Sequence, residues 1–568
     1  MHIHIVPNRG SPPTVLLRES FREGASVRKR TLANLSSLPM AQIEAIRSVL
    51  LGVEVCPVAQ CFEITATRAH GHVQAVAAAL QRLGFASLIA SKPCRARDLV
   101  LAMVASRILA PATKLATTRW WHTTTLAEDF SVADASEDDL YAAMDWLLTR
   151  QDAIQKKLAA RHLSTGGLVL YDLSSSYFEG LTCPLAKLGY SRDGKRGTLQ
   201  VNYGLLTDAR GCPVAISVHD GNVSDSKTFM PEVQRLREDF GIEQMVIVGD
   251  RGMIFQGAID AMRTTDGIDW ITALKSVSIR ALIEQKQLQP DLFDERNLLE
   301  LSSPDYPGER LVACRNVELA KLRQHKREAL LVATEVNLAK VKVRVDAAKL
   351  TGKDKIGLQV GKVVNQYKVA KHFELNIGET AFSFVRKHES IAAEALLDGI
   401  YIIRTSVSTD KMNAAECVRS YKSLAMVERA FRSFKGVDLK VRPIHHRLED
   451  RVRAHLFLCM LAYYVEWHMR EAWRELMFAD GDQLAKTCRD PVAPAKRSKA
   501  ALEKVSSHTL DDGSAAHSWP TLLAELAAIA RNTCRAPQAG DSSPTFNITT
   551  TPNPKQKRAL DLMQTIKM

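Results

Sequence analysis

The spacing of apolar and polar positions changes along the chain, and each change predicts a different kind of structure. From residue 51 to about 160, apolar side chains recur at helical spacing, as in ARDLVLAMVASRIL, Ala96 to Leu109. The segment from Ser136 to His162 has Asp139 three residues after its first serine, which is the pattern of a capping box. This part of the chain is predicted to be largely helical.

From about residue 166 the pattern predicts strands and helices in alternation. LVLYDL, LQVNYGLLTD and CPVAISVHDG are predicted strands, and the turn Thr207 to Gly211 makes the last two a hairpin. SKTFMPEVQRLREDFG, EQMVIVGD, GMIFQGAIDAMRTTDG and DWITAL follow as helix, strand, helix and strand. This order indicates an α/β fold with a mixed sheet and helices packed on it.

Residues 280–395 interrupt the alternation. They combine strand-like pieces, ERLVACRN and FSFVRK, with a helical run around ALLVATEVNLAKVKVRV. Between Leu319 and Lys355 there are ten Lys or Arg against four Asp or Glu, which fits either a solvated helical face or contact with nucleic acid. A further strand, Gly399 to Ser406, and a long helix from about Lys411 to Lys435 are predicted after this segment.

Composition narrows the class of protein. The 568 residues are enough for roughly three or four domains, and the net charge of +13 favours a polyanionic partner, although a merely basic enzyme stays open. The ten cysteines include no CxxC pair, which favours a reducing compartment. No signal peptide is recognised, and the longest apolar run, Leu456 to Val465, is too short to span a bilayer. We expect a cytoplasmic protein in which that run is a buried helix.

Two predicted strands end in a carboxylate, Asp172 after LVLY and Asp250 after VIVG. Groups at the ends of neighbouring strands converge on one edge of a sheet, and two carboxylates placed together repel unless a cation lies between them. Mg²⁺ is held by such carboxylates together with substrate phosphate oxygens, and a pair of these ions serves phosphodiester chemistry. The serines that follow Asp172 are interpreted as a tight exit from the strand.

The segment YKSLAMVERAFRSFKG offers a third acid, Glu428. Tyr421 lies seven residues before it and Lys435 seven after it, so a continuous helix would place all three on one face. A carboxylate between a phenol and an ammonium suits a site beside a DNA backbone. Leu424 and Phe431 lie close to the same stripe, so an amphipathic core helix with a peripheral acid is the alternative.

These segments resemble the DDE transposases of bacterial insertion sequences, in the branch with a long insertion between the second Asp and the Glu. The catalytic helix of that family carries Tyr-x2-Arg-x3-Glu-x6-Lys, which Tyr421, Glu428 and Lys435 match and from which Leu424 departs. VIVGDRGM and YDLSSSYFEG resemble the motifs of the second and first Asp. GYSRDGKRG, HDGNVSDSKTF and RPIHHRLEDRVRAHLFLCMLAYY also resemble this branch, and the likeness covers about residues 1–475.

The resemblance implies an RNase H-like mixed five-stranded sheet with flanking helices, interrupted by a strand-containing insertion over the active site. A mostly helical DNA-binding region would precede it. The implied boundaries are a basic N-terminal segment at 1–50, the helical DNA-binding region at 51–163, the first part of the core at 164–278, the insertion at 279–398, the second part of the core with the Glu helix at 399–480, and a C-terminal linker, helix and tail at 481–568.

The resemblance also implies a chemistry. Asp172, Asp250 and Glu428 would be the catalytic residues and would hold two Mg²⁺ ions, with Mn²⁺ as a substitute. The enzyme would cleave the ends of the element and transfer the 3′ hydroxyl into target DNA. Its partners would be double-stranded DNA, as terminal inverted repeats and target, and a second copy of the chain. We expect no membrane partner and a location at the bacterial nucleoid.

Contacts to DNA are expected from further side chains near the acids. Because Leu424 stands at the position of the family's Arg, Arg429 or Arg432 is expected to replace that cation. The expected DNA contacts are Tyr421, Lys435, Arg432, Arg429, Lys195 and Arg196. A metal-dependent nuclease without strand transfer and a catalytically dead DNA-binding remnant remain as alternative functions.

Overall fold

The computed structural model describes residues 1–53, 61–288, 293–482, 489–535 and 544–567. These residues belong to two compact units. The smaller unit is Met1–Arg68 with Ala530–Thr551, and the larger unit is Ala69–Ile529 with Pro552–Met568.

Two three-stranded sheets and a helix make up the described part of the smaller unit. Its elements are β1 (His2–Val6), β2 (Thr14–Glu23), β3 (Ser26–Asn34), α1 (Met40–Leu50), β4 (Glu63–Ala69), β16 (Ala530–Arg535) and β17 (Thr545–Thr549). One sheet is antiparallel with the order β1-β2-β3, and the other has the order β17-β16-β4. The basic stretch VRKRTLAN lies on β3, which is exposed along almost its whole length.

The larger unit begins with helices, as the apolar spacing predicts. They are α2 (Gly71–Arg82), α3 (Phe85–Ile89), α4 (Arg95–Leu109), α5 (Lys114–Trp120), α6 (Leu126–Asp129), α7 (Glu137–Leu148) and α8 (Gln151–His162). The capping box is confirmed, because Ser136 and Asp139 each bond the other's backbone N–H. The continuous helix predicted after Ser136 is divided in two by a turn at Thr149 and Arg150.

A mixed sheet is the centre of the larger unit, and its strands alternate with helices as predicted. In chain order the elements are β5 (Leu168–Tyr177), β6 (Lys187–Leu188), β7 (Leu199–Asp208), β8 (Pro213–Asp220), α9 (Asp225–Glu238), β9 (Met245–Val248), α10 (Gln256–Arg263), β10 (Ile268–Ala273), α11 (Ser276–Glu284), β11 (Leu298–Leu301), β12 (Arg310–Arg315) and β15 (Ile400–Thr405). Strands β5, β9 and β10 are parallel neighbours, and the predicted β7–β8 hairpin is confirmed.

The prediction of five strands is wrong, because this sheet has nine described strands. Its order is β11-β12-β15-β10-β9-β5-β7-β6, with β8 also paired to β7. Two of the additional strands come from the predicted insertion: β12 pairs antiparallel with β15 from Arg310 opposite Thr405 to Arg315 opposite Ile400. The insertion therefore extends the edge of the sheet, a pairing between distant segments that local spacing does not encode.

The remainder of the insertion has a hydrophobic core of its own. It consists of α12 (Val317–Asp346), α13 (Lys353–Tyr367), β13 (Phe373–Ile377), β14 (Phe382–Arg386) and α14 (His388–Ala395). Leu331 and Leu338 of α12 pack with Ile356 of α13 and with Phe373 and Phe382 of the β13–β14 hairpin.

The helix predicted from Lys411 to Lys435 is not continuous. It is divided into α15 (Ala414–Lys422) and α16 (Leu424–Arg432), and α16 ends in a π-helical turn, Ser433–Val437. The apolar run near the end of the core is a buried helix as predicted, α17 (Glu449–Ala472). Among the described residues no single helix has the length and apolarity to cross a bilayer, although the bent pair Arg95–Leu109 and Lys114–Thr123 passes that test.

The C-terminal region has more regular structure than the predicted linker, single helix and tail. Helices Lys499–Ser507 and Pro554–Met563 were not predicted, and the predicted helix PTLLAELAAIARNT ends early, as Trp519–Ala527. Its last residues, from Ala530 onward, form β16 instead, because they pair with β17.

Candidate active site

Asp172 lies on β5, and Asp250 follows the end of the adjacent parallel strand β9. The register of β5 and β9 places Leu170 opposite Val248, so two further residues along each chain bring Asp172 beside Asp250. β9 ends at Val248, whereas β5 continues to Tyr177. The charge of Asp250 acts on Asp172, which fits carboxylates that approach one another where β9 stops.

Asp172 does not lie at a strand end as predicted, because it is in the middle of the ten-residue β5. It is half-buried, and its Oδ1 accepts a hydrogen bond of 2.8 Å from the backbone N–H of Leu173. The pKa of Asp172 is raised to about 7, chiefly by burial and also by the charges of Asp250 and Glu428, against the lowering effects of that hydrogen bond and of the Arg192 guanidinium. The three predicted acids thus act on one another electrostatically.

The serines after Asp172 belong to β5 and do not form the predicted exit from it. The hydroxyl of Ser175 accepts a hydrogen bond of 3.1 Å from the backbone N–H of Arg192. The hydroxyl of Ser176 lies 2.8 Å from that of Tyr203 on the neighbouring strand β7. The serines fix β5 against its neighbours because their buried hydroxyls find partners there.

Glu428 is exposed on α16, and the buried residues Val427, Ala430 and Phe431 fix that helix against the core. Tyr421 precedes the break in the helix, and its hydroxyl donates a 3.4 Å hydrogen bond to Oδ1 of the exposed Asp250. Burial raises the pKa of Tyr421, with contributions from Asp250 and Glu428. The phenol therefore lies between the second and third acids.

Lys435 is held away from solvent by an ion pair that the sequence motifs do not predict. Its Nζ lies 3.0 Å from Oδ1 of Asp193, and only 11% of the lysine side chain and 1% of the aspartate side chain are exposed. Arg442 pairs with the same carboxylate oxygen, and the backbone N–H of Tyr177 donates to Oδ2. Asp193 thus ties the π-helical turn after α16 to the loop GYSRDGKRG.

A cavity of about 490 Å³ lies beside Glu428, and four cations line it. They are Arg192, Arg432, Lys435 and Arg442. Arg192 pairs with Asp225 at the start of α9, and its charge also acts on Asp172. Asp193, Arg192 and Arg442 are not among the predicted site residues, although they lie within recognised motifs. The signal that could have identified them is their charge within those motifs.

The remaining predicted DNA contacts are separated by the structure. Arg432 is exposed and lines the cavity beside Glu428. Arg429 is exposed as well, but its charge acts toward α17, where it opposes the rise in the pKa of Tyr463. Of the two, only Arg432 lines the cavity beside Glu428. Leu424, at the position of the family's Arg, packs against the core.

Lys195 and Arg196 are both exposed on the loop that follows Asp193. The Nζ of Lys195 lies 3.7 Å from the centre of the Tyr177 ring, a cation–π contact that keeps the lysine close to the end of β5.

The three acids are more widely spaced than the ligands of a single ion. Among the described residues, the one group of three or more candidate ligands with all ligand atoms within 4.8 Å of one another is His162, Cys212 and His468. Carboxylates that share two cations need a wider spacing, since such cations lie about 3.5–4 Å apart. All three acids offer carboxylate oxygens, which are the donors that hard divalent ions prefer. The raised pKa of Asp172 fits such ions as well, because a bound cation would lower it.

Comparisons with known proteins agree with these motifs. A family model described as "Transposase DDE domain" matches residues 180–465, about half of the chain, including Asp250 and Glu428. A second, "IS1634 family transposase, N-terminal domain", matches residues 3–55. No curated protein matches the chain.

One similar solved structure is a cryo-EM structure of a piggyBac transposase synaptic complex with hairpin DNA. It is 9% identical, covers 80% of this chain and 77% of its own, and has a TM-score of 0.32. The family assignment rests on the two family models, of which the DDE domain alone spans half of the chain. The chain therefore belongs to the DDE transposases of insertion sequences.

Proposed function

We propose that this transposase cleaves the ends of an insertion sequence and joins the freed 3′ hydroxyl to target DNA on an RNase H-like core. The observation that supports the proposal is the parallel pairing of β5 and β9 close to Asp172 and Asp250, together with the charges of Asp250 and Glu428, which raise the pKa of Asp172. Three carboxylates that repel one another at the edge of a sheet favour a bound cation. We also propose the domain boundaries that the resemblance implies.

Asp172, Asp250 and Glu428 would hold two divalent cations, Mg²⁺ or Mn²⁺ in its place, which supply activation of the attacking oxygen and stabilisation of the leaving oxygen. Tyr421 orients Asp250 through its hydroxyl. Cleavage and joining are both in-line displacements at phosphorus, so one set of acids serves water as the first nucleophile and the 3′ hydroxyl as the second.

The cations around Glu428 would hold the DNA backbone in place. Arg432 and Arg192 line the adjacent cavity. A guanidinium group can donate two parallel hydrogen bonds to two oxygens of one phosphate. Lys195, Arg196 and Arg429 lie on exposed surface and would contact phosphates further away. Lys435 would contact DNA only if its ion pair with Asp193 were replaced by an ion pair with a phosphate. Since two ends are joined in one event, we expect a dimer on DNA.

The test uses the full chain, Mg²⁺, an oligonucleotide duplex carrying one end of the element, and a supercoiled target. Strand-transfer products are expected with the wild type and should be lost in Asp172→Asn. Asp152→Asn is the matched control, because that side chain is 89% exposed and lies on α8. Cleavage without joining would favour the nuclease. DNA binding without cleavage would contradict the catalytic proposal and favour the dead remnant.

A further inference from the structure

A second cavity, of about 300 Å³, lies between the end of α4, the start of α5 and the segment 440–446. We call it the cationic cavity. Four cations and three imidazoles line it, whereas no Asp or Glu does so within the part of the chain that the structure describes. The charged and imidazole residues are Arg107, Lys114, Lys440, Arg442, His445, His446 and His455.

Lys114 is the most unusual of these groups. Only 5% of the residue is exposed, and its ammonium makes no ion pair or hydrogen bond with any residue of the described ranges. The pKa of Lys114 is lowered to about 7, chiefly by burial and also by the charge of Arg107. Arg107 is 7% exposed, and its bonds are two long ones, of 3.4 Å each, to the carbonyl oxygens of Leu439 and Ala112.

The histidines of the cavity respond to the same excess of positive charge. The pKa of His446 is lowered to about 3, chiefly by burial and also by the charges of Lys114 and Arg107. The pKa of His455 is lowered by burial and by the charges of His446, Arg107 and Lys114. The positive charge around the cavity therefore disfavours protonation of both imidazoles, as expected where a negative charge is missing.

Nearby acids already have partners, and two of these acids pair with the lining residues Arg442 and His445 rather than with Lys114 or Arg107. Asp193 is bound by Lys435 and Arg442. Oε2 of Glu179 lies 3.8 Å from Nδ1 of His445, and Oδ2 of Asp145 lies 3.5 Å from the guanidinium of Arg451. None of the three acids lines the cavity.

We propose that the cationic cavity binds a phosphate group, with Lys114 and Arg107 as its buried partners. Burying an unpaired cation costs several kcal/mol, and a bound oxyanion removes that cost through charge-assisted hydrogen bonds. His446 and the hydroxyl of Tyr141 complete the lining with further polar groups. A phosphate dianion suits this cavity better than a carboxylate, since three or more donors converge on it.

The position of the cavity suggests two sources for the phosphate. Arg442 lines both the cationic cavity and the cavity beside Glu428, so a phosphate bound here would lie one side chain from the proposed catalytic cleft. It would belong either to the end of a DNA strand or to free phosphate. The site needs none of the three catalytic acids, and it goes beyond the proposed function.

The first arm of the test measures phosphate binding to the full chain at constant ionic strength, with chloride replaced by inorganic phosphate. Phosphate should raise the unfolding temperature of the wild type, and Lys114→Met should weaken binding by about tenfold or more, measured calorimetrically. Lys156→Met, an exposed lysine on α8, is the matched control and should bind like the wild type. Without phosphate, Lys114→Met should unfold at the same or a higher temperature, because it removes a buried unpaired cation.

The second arm compares short duplexes that carry either a 5′ phosphate or a 5′ hydroxyl. Tighter binding of the 5′-phosphate duplex that is lost in Lys114→Met would identify a DNA end as the source. Phosphate binding without that preference would identify free phosphate. The proposal is overturned if neither probe gives a response that depends on Lys114. Asp172→Asn should keep the phosphate response, which separates this site from failure of the catalytic proposal.

Discussion

Lys435 and Asp193 form a buried ion pair, with 3.0 Å between Nζ and Oδ1, across 242 residues of sequence. The lysine is the last residue of the Tyr421, Glu428 and Lys435 motif, yet it pairs with a carboxylate in a loop of the protein. Burial lowers the pKa of Lys435 and Asp193 raises it, so the pair is what keeps the ammonium charged inside the fold.

Replacing Asp193 with Asn should destabilise the larger unit by about 3 kcal/mol, because Lys435 and Arg442 would lose a shared buried carboxylate. Denaturant unfolding measures the change in the free energy of unfolding. Lys435→Met combined with Asp193→Asn should recover part of the loss, since the double variant leaves one fewer buried cation unpaired.

The control for this prediction is Asp134→Asn. Asp134 also pairs with an arginine, Arg95, but 83% of its side chain is exposed, so no measurable loss is expected. Equal losses in Asp193→Asn and Asp134→Asn would contradict the structural role given to the buried pair.

The raised pKa of Asp172, about 7 against an ordinary value of 3.8, predicts a link between protons and cation binding. Between these values the folded protein holds more protons than the unfolded chain, so stability without metal should fall as the pH rises from 4 to 7. A divalent cation must displace the proton, and its affinity should fall about tenfold per pH unit below 7.

Calorimetry in two buffers of different ionisation enthalpy counts the released protons. Mg²⁺ binding should release close to one proton from this group at pH 6 and almost none at pH 8, and the difference should vanish in Asp172→Asn. The same release at both pH values would show that Asp172 titrates at its ordinary pKa.

Ser176→Ala tests the corrected role of the serine run. The Ser176 hydroxyl lies 2.8 Å from that of Tyr203, and both residues are fully buried, so the variant should lose about 1–3 kcal/mol of stability. Ser174→Ala is the control, because the structure gives its hydroxyl no hydrogen-bond partner among the described residues, and a loss below about 1 kcal/mol is expected. Similar losses in both variants would argue against a specific hydrogen bond.

The serines also show what the sequence could predict and what it could not. The apolar spacing correctly predicts β7, β8, β9 and β10, because each has a strong local pattern. β5 was predicted too short, since Ser174, Ser175 and Ser176 carry no apolar signal and are stabilised by partners such as Arg192 and Tyr203.

Pairings between distant segments account for the other errors. The predicted number of strands is too low because β12 pairs with β15, although the whole helical part of the insertion lies between them in the chain. Motif spacing predicts that Asp172 and Asp250 lie side by side; β5 and β9 are parallel neighbours, although Asp172 lies within β5 and not at its end. The same spacing did not predict the burial of Lys435, since a π-helical turn begins at Ser433 and breaks the regular helical face.

Arg192 should tune the cation site through Asp172. Its charge lowers the pKa of that carboxyl, so Arg192→Met should move the midpoint of proton release upward by up to about one pH unit. Calorimetry across pH 6 to 8 gives the midpoint. Arg196→Met removes an exposed cation from the same loop and should leave it in place. An unchanged midpoint in Arg192→Met would mean that Arg192 acts only through its ion pair with Asp225.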